Sequence, residues 1–157
     1  MTTTKRSRTG YYIAAVIIVI IIIIAAFLAY QYLSGPGGSS GGNNINVYAG
    51  EYGFGNSAGS ITSPGPTLTF KAGQSITVTL HNVGAQPHNW AITTDKTDGS
   101  SNLAFSGAEI GSASNPVAPG GSASTTFTVG NAGSYYYICQ VDGHVSLGMW
   151  GTVTVNP

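Results

Sequence analysis

The residues of this chain that could do chemistry are concentrated near its C-terminus, where Cys139, His144 and Met149 follow one another in the spacing Cys-x4-His-x4-Met. They offer a thiol, an imidazole and a thioether. Cys139 ends one run of alternating apolar residues, and Val153 belongs to the next such run. The three residues are therefore predicted to lie on one loop between two adjacent strands, from which they can point to one place.

This set of donor atoms suits a redox-active metal. A thiolate and two imidazoles in a plane, with a weak axial thioether, serve both Cu(I) and Cu(II). The loop lacks a second imidazole, and the chain has only two other histidines, His81 and His88. His88 begins the face that Trp90 and Ile92 share, where a buried ligand would lie, whereas His81 falls on the polar face of its strand. The alternation therefore favours His88 over His81.

Cys139 is the single cysteine of the chain, so an intramolecular disulfide is excluded. A lone cysteine can also be a small buried apolar residue or form an intermolecular bridge. A methionine near a strand end is commonly a core residue. The metal hypothesis depends on the occurrence of Cys139, His144 and Met149 together, with one upstream histidine in a suitable place.

From residue 45 onward, apolar and polar residues alternate with a period of two in several short runs separated by Gly, Pro, Asn and Ser. This pattern is typical of an all-β sandwich or barrel. Residues 51–66 and 96–119 are rich in Gly and Ser and are predicted to be loops, although residues 102–110 could contain a short helical turn.

Residues 13–29 form an uninterrupted apolar run flanked by tyrosines, and we predict a transmembrane anchor over residues 11–33. Basic residues in the N-terminal residues 1–10 predict a cytoplasmic N-terminus. A cleaved signal peptide is the alternative, although its apolar core usually has only about 7–15 residues. Residues 34–44 (SGPGGSSGGNN) are predicted to be a flexible linker to an extracytoplasmic domain over residues 45–157.

Charged residues make up only 6% of the chain, against roughly 25% in typical soluble domains. Beyond residue 34 there are two lysines and five acidic residues, so no basic patch is available and nucleic-acid binding is excluded. Three histidines are too few for the additional copper sites of a multicopper oxidase or a copper nitrite reductase. An enzyme of either class is therefore not predicted.

Two segments resemble the cupredoxins, the superfamily of blue-copper proteins: residues 82–89 (NVGAQPHN), and the loop from Cys139 that ends in GMWG at residues 148–151. The similarity is strongest to sulfocyanin, an archaeal protein, and to rusticyanin. It covers residues 45–157 and implies a Greek-key β-sandwich that binds one type 1 copper ion. The ligands implied by the resemblance are His88, Cys139, His144 and Met149.

The resemblance also gives Asn89 a role, because an asparagine at this position ties the two ligand-bearing loops together by hydrogen bonds near the sulfur in many cupredoxins. Gln140 is a departure, since plastocyanin-like and azurin-like members usually have Ser or Thr after the cysteine. This departure leaves the hydrogen-bond pattern around Cys139 open.

The function implied is that of an electron carrier, not an enzyme, cycling between Cu(II) and Cu(I) in a respiratory chain. The expected partners are redox proteins, with a terminal oxidase as acceptor, and no small-molecule substrate is expected. The expected location is the cell membrane, crossed once, with the copper domain outside. The alternatives are a non-redox copper-binding or storage protein and a cell-surface β-sandwich protein.

Overall fold

The structure, a computed structural model, describes residues 17–18, 20–22, 24 and 44–157. The chain divides into two units, Met1–Ser40 and Gly41–Pro157. The described residues of the first unit are helical isoleucines with exposed side chains: Ile17, Ile18, Ile20, Ile21, Ile22 and Ile24. Among the residues that the structure describes, no helix has both the length and the apolar character needed to cross a membrane.

The predicted N-terminal segment 1–10 lies outside the described residues, as do most of the anchor 11–33 and all of the linker 34–44 except its last residue. These boundaries therefore stay predictions.

Within its described residues, the second unit consists of strands joined by turns and loops, as the period of two predicts. In chain order the strands are β1 (Asn44–Gly50), β2 (Gly53–Gly55), β3 (Leu68–Lys71), β4 (Ser75–Asn82), β5 (Trp90–Thr93), β6 (Glu109–Ile110), β7 (Ser122–Thr128), β8 (Gly133–Ile138) and β9 (Trp150–Asn156).

The strands form two mixed sheets, with the orders β2-β1-β4-β7 and β3-β9-β8-β5-β6. The pairs β1–β4 and β3–β9 are parallel, and the other neighbouring pairs are antiparallel. One apolar cluster takes residues from both sheets, including Leu80 and Phe127 from the first and Ile92, Tyr137 and Val153 from the second. The prediction of an all-β domain is confirmed.

Strand β4 shows how the alternation is used. Its apolar residues Ile76, Val78 and Leu80 are fully buried, while the residue after each of them faces the other side and forms a side-chain hydrogen bond to β7. These bonds, here called the outer ladder, join Thr77 to Thr126 (2.8 Å), Thr79 to Ser124 (2.8 Å) and His81 to Ser122 (2.9 Å). His81 thus lies on the polar face of its strand, as its position in the alternation predicts.

The order of the second sheet explains why distant residues meet. Strand β8 lies antiparallel between β5 and β9, so the start of β5, the end of β8 and the start of β9 are at the same end of the sheet. His88 and Asn89 precede β5, Cys139 follows β8, and Met149 precedes β9. The sheet topology therefore brings these four residues to one place.

Both predicted loops contain short strands, β2 in residues 51–66 and β6 in residues 96–119. The helical turn considered for residues 102–110 is wrong. This segment bonds instead to β5, where the Ala104 amide donates to the Ile92 carbonyl and the Ile92 amide donates to the Ala108 carbonyl, both at 2.9 Å. Strand β5 offers backbone groups that need partners, and pairing with them excludes the helical conformation.

Candidate metal centre

Three of the predicted site residues form a buried cluster. The Nδ1 atoms of His88 and His144 are 3.3 Å apart, and the Cys139 Sγ atom lies 3.3 Å from His144 Nδ1 and 4.0 Å from His88 Nδ1. The exposed fractions of the side chains are 0% for His88 and Cys139 and 9% for His144. Two imidazoles and one thiol therefore face one another at a single point inside the domain.

Residues 139–149, here called the site loop, supply three of the four predicted site residues. The Cys139 amide donates to the Met149 carbonyl (3.1 Å), and the Met149 amide donates to the His144 carbonyl (2.9 Å). Backbone hydrogen bonds thus connect Cys139 to Met149 and Met149 to His144. Met149 is fully buried, so the fourth predicted residue belongs to the same enclosed part of the domain.

A glycine allows the site loop to close. Gly148 has a φ of +98°, in the region that L side chains rarely adopt, and a Cβ atom here would overlap the Ser63 hydroxyl. The next residue is Met149. A glycine at this position thus permits the turn that returns the chain to β9.

His88 reaches the cluster from a separate segment. Its backbone pairs with Val117 through two hydrogen bonds of 3.1 and 2.8 Å. Gly84 lies behind its ring, where an added Cβ would be 3.1 Å from His88 Nε2 and 3.1 Å from the Gly50 carbonyl carbon. The backbone of His88 is therefore held by Val117, and the side of its ring that points away from Cys139 packs closely against Gly84.

Asn89 and Gln140 surround the sulfur with hydrogen bonds. The backbone N–H of Asn89 points to the Cys139 Sγ atom at 3.5 Å. The Asn89 side-chain oxygen, Oδ1, accepts from the backbone N–H of Gln140 at 2.7 Å. The Asn89 Nδ2 atom donates to Gln140 Oε1 at 2.6 Å. Asn89 therefore connects the segment of His88 to the site loop beside the sulfur, which is the role the resemblance implied.

The contribution of Gln140 was missed from the sequence, where it was only a departure from the usual Ser or Thr. Its side chain is buried, accepts from Asn89 and donates to the Ser100 carbonyl at 2.8 Å. The Gln140 backbone N–H donates to the Asn89 side chain, and the Gln140 side chain accepts from it, so the two bonds together fix the orientation of the Asn89 side-chain amide. A long polar side chain directly after Cys139 was the available signal.

Burial sets the protonation of the site residues. It lowers the pKa of His88 from 6.5 to about 4; His144 lowers this pKa further and Glu51 opposes the shift. Burial also lowers the pKa of His144, against the opposing charges of Asp98 and Glu51. Burial therefore favours the neutral form of both imidazoles, whose lone pairs are available for a metal.

The pKa of Cys139 is raised, because burial disfavours the thiolate more than the backbone amides of Asn89 and Val141 stabilise it. A thiolate in this position needs a positive charge beside it. A metal ion held by this cluster would supply that charge, and Cys139 would then lose its thiol proton.

The separations in the cluster can be compared with those of three ligands that surround one first-row metal ion in a plane. Metal–nitrogen bonds of about 2.05 Å and metal–sulfur bonds of about 2.3 Å would place three such ligands about 3.6–3.8 Å apart. The observed separations of 3.3, 3.3 and 4.0 Å lie on either side of these values. A thiolate, two imidazoles and an adjacent methionine form the ligand set that favours copper in its one-electron couple.

His81 has a different environment from the cluster. Its two ring nitrogens hydrogen-bond to Ser122 Oγ and Asn46 Oδ1, each at 2.9 Å, and its ring stacks on Tyr48 with centroids 4.8 Å apart. The structure therefore brings His88, and not His81, to Cys139 and His144.

Comparisons with known proteins agree with this site. Residues 48–156 match the copper binding proteins of the plastocyanin/azurin family. The chain is 36% identical over 104 residues to auracyanin-A from Chloroflexus aurantiacus, a match that covers 57% of this chain and 64% of that protein. The chain thus spans slightly less than two thirds of the length of this curated relative.

Solved structures show the same fold. Auracyanin from Roseiflexus castenholzii, in a form reduced with Na-dithionite, is 25% identical with a TM-score of 0.58, covering 75% of this chain and 100% of that chain. Rusticyanin from Thiobacillus ferrooxidans is 25% identical with a TM-score of 0.55, covering 74% of this chain and 79% of that chain. Multicopper oxidases share the fold as well, so the fold alone does not separate carriers from enzymes.

The family match covers most of the chain, and its residues include the whole buried cluster. The predicted relationship to blue-copper proteins is confirmed, while the narrower similarity to sulfocyanin stays a prediction. The chain belongs to the plastocyanin/azurin family of copper-binding proteins, and its metal centre fits a single type 1, or blue, copper ion.

Proposed function

We propose that this chain is a membrane-anchored carrier of single electrons whose copper is bound by His88, Cys139, His144 and Met149. The observation that carries the proposal is the buried triangle of two Nδ1 atoms and one Sγ atom. Bound copper supplies the one-electron couple Cu(II)/Cu(I). The protein supplies a ligand arrangement that serves both oxidation states.

The surroundings of the cluster support electron transfer because they resist rearrangement. Backbone bonds connect Cys139, His144 and Met149, and Asn89 links them to the segment of His88. The N–H groups near the sulfur stabilise its negative charge, and the apolar core excludes water. A site that moves little between two states has a small barrier to gaining or losing an electron.

The accessibility of the cluster favours a carrier over an enzyme. His144 has an exposed fraction of only 9%, and Met149 is fully buried, so the cluster offers little surface for a small molecule to approach. The third histidine, His81, is engaged in the outer ladder, which leaves no histidine for a second copper site. We therefore propose that the chain has no small-molecule substrate.

The proposal includes a location and partners. The apolar run at residues 13–29, with basic residues before it and tyrosines on both sides, supports a single anchor in the cell membrane with the copper domain outside. The resemblance to sulfocyanin supports respiratory-chain redox proteins as partners and a terminal oxidase as acceptor. Weak docking with a small contact area is typical of such encounters.

Copper loading tests the central claim. The full-length protein loaded with Cu(II) should be intensely blue from thiolate-to-copper charge transfer, and a one-electron reductant should bleach the colour reversibly. Cys139→Ser should abolish the band. A colourless loaded protein, or a colour that survives Cys139→Ser, would overturn the assignment, and a blue protein that cannot be reduced and reoxidised would instead support copper storage.

Membrane fractionation tests the anchor. The full-length chain should stay with membranes after an alkaline wash, while a chain starting at residue 34 should be released. If the full-length chain is exported and then found without its first residues, the signal-peptide alternative is correct and the anchor hypothesis is wrong.

A further inference from the structure

Residues 94–102, here called the bracing segment, follow β5, and all but the first two belong to the stretch 96–119 that was predicted to be a loop. The segment is closed by its own hydrogen bonds. The Thr94 amide donates to the Asn102 carbonyl at 3.0 Å. The Asp95 carboxylate accepts from the Thr97 amide (3.0 Å), Asn102 Nδ2 (2.8 Å) and Ser100 Oγ (3.1 Å). The segment is thus an ordered loop.

The bracing segment contacts the site loop first at Gln140, the residue that directly follows Cys139. Gln140 Nε2 donates to the Ser100 carbonyl at 2.8 Å. Both residues are buried, with exposed fractions of 4% and 8%. Because water does not reach this hydrogen bond, neither group can replace its partner by a water molecule, and breaking the bond is costly.

The second contact is at Val145 and Ser146, the two residues that follow His144. One oxygen of the Asp98 carboxylate accepts from the Val145 amide at 2.8 Å and the Ser146 amide at 3.2 Å. The other oxygen accepts from the Ser146 hydroxyl. A carboxylate that receives three hydrogen bonds from one turn fixes the conformation of that turn, because such bonds are charge-assisted.

The third contact is at Trp150, the residue that directly follows Met149. The Lys96 ammonium lies 3.7 Å from the centroid of the Trp150 ring and 5.8 Å from the centroid of the Tyr136 ring. Cation–π attraction of this kind favours tryptophan over other aromatic rings. It adds a contact between the bracing segment and the start of β9.

The three contacts share a pattern: each falls directly after one of the three site residues of the loop. We propose that the bracing segment positions the site loop, so that Cys139, His144 and Met149 keep their metal-binding arrangement before and after copper binds. This inference rests on the proposed function, since it concerns the same site. Asp98 and Lys96 are positioning residues, which act through Val145, Ser146 and Trp150.

The test uses hydrogen–deuterium exchange on the full-length protein without copper, read on peptides from the site loop. Asp98→Ala should speed up exchange at the Val145 and Ser146 amides roughly tenfold or more, because strong charge-assisted bonds are lost. Asp98→Asn, which keeps a neutral acceptor, should have a smaller effect. Asp142→Asn removes one charge from an exposed residue of the same loop and should leave this exchange unchanged.

Copper provides a second measurement. In Asp98→Ala we expect copper affinity to fall about tenfold, as is common when a group supporting a ligand is lost. The blue band and the copper hyperfine splitting should shift as well. Asp142→Asn should bind copper with the parent affinity and spectrum. If Asp98→Ala fails to fold, Asp98→Asn and Lys96→Met are measured in the same way, and each should move the spectrum further than Asp142→Asn does.

The outcomes separate the two hypotheses. If the parent protein is not blue, the proposed function fails, while exchange in the copper-free protein still shows whether the bracing segment orders the site loop. If the parent is blue and the Asp98 and Lys96 variants match Asp142→Asn in exchange, affinity and spectrum, the positioning role is overturned and the proposed function stands.

Discussion

His81 and His88 are seven residues apart and belong to opposite kinds of environment. His81 lies on the outer ladder with a hydrogen-bond partner for each ring nitrogen. His88 is fully buried, its Nε2 atom has no hydrogen-bond partner among the described residues, and its Nδ1 atom faces a thiol and a second imidazole. The comparison teaches that the candidate metal-binding histidine is distinguished by the groups that its ring nitrogens face. Residue type and nearness in sequence do not decide it.

The largest expected effect separates these two histidines directly. His88→Ala removes one proposed copper ligand, and we expect copper affinity to fall by more than about 100-fold. Loss of a group that only supports a ligand typically lowers metal affinity by about 10–100-fold. His81→Ala should leave copper affinity and the blue band unchanged. It should lower the free energy of unfolding by about 1 kcal/mol, the usual net value of lost hydrogen bonds.

Copper titration and denaturant unfolding of both variants provide the measurements. A blue band that survives His88→Ala, or one that is lost in His81→Ala, would contradict the assignment.

A smaller effect is expected where the backbone packs against His88. In Gly84→Ala the new methyl group would lie 3.0 Å from Glu51 Oε1 and 3.1 Å from His88 Nε2, and relieving this contact displaces neighbouring groups, the His88 ring among them, by a few tenths of an ångström. We expect copper affinity to fall by about tenfold. Gly59→Ala is the matched control, because a Cβ there meets no atom of the described part of the chain within 4 Å. Equal copper affinities of the two variants would show that packing of Gly84 against the His88 ring does not influence copper binding.

Gln140→Ala sharpens the comparison from the side of the thiol. It leaves the buried Asn89 Nδ2 atom and the Ser100 carbonyl without their partner, and an unpaired buried polar group costs about 1–3 kcal/mol. We expect a loss of this size in the free energy of unfolding, together with a shift in reduction potential, because Asn89 lies beside the sulfur. A potential identical to that of the parent would mean that the orientation of Asn89 does not tune the copper.

The smallest expected effect concerns the thermal stability of the domain at low pH. Hydrogen bonds, chiefly from the Asn102 side chain and the Thr97 amide, lower the pKa of Asp95 from 3.8 to about 2. A lowered carboxyl pKa stabilises the folded state fully above pH 3.8, and this contribution is lost as the pH falls through about 2. The difference in Tm between the parent and Asp95→Ala should therefore be constant above pH 4 and shrink toward pH 2. A difference that grows on acidification would contradict this assignment.

The sequence predicted the site loop and the choice of His88 because both depend on short-range patterns. Cys139, His144 and Met149 lie within one loop, and strand parity distinguishes His88 from His81. The contacts of Gln140 with Ser100, and of Asp98 with Val145, join positions about 40 or more residues apart. Such pairings follow from how loops pack at the end of the sheet, and no local period records them.

The fold shows the same division. Alternation predicted strand β4 and the burial of Ile76, Val78 and Leu80. It did not predict β2 or β6, because strands of three and two residues are too short to show a period. Strand β6 forms because β5 offers unpaired backbone groups, and that requirement comes from the assembled sheet.

The outer ladder has a consequence for the behaviour of the domain in different media. Its Thr77–Thr126 and Thr79–Ser124 pairs join two strands without any formal charge. Dissolved ions weaken attractions between exposed charges, and the screening length falls to about 10 Å at 0.1 M salt. Neutral hydroxyl pairs are little affected by this screening. The contribution of these hydrogen bonds to the stability of the sheet should therefore change little between low and high salt concentration.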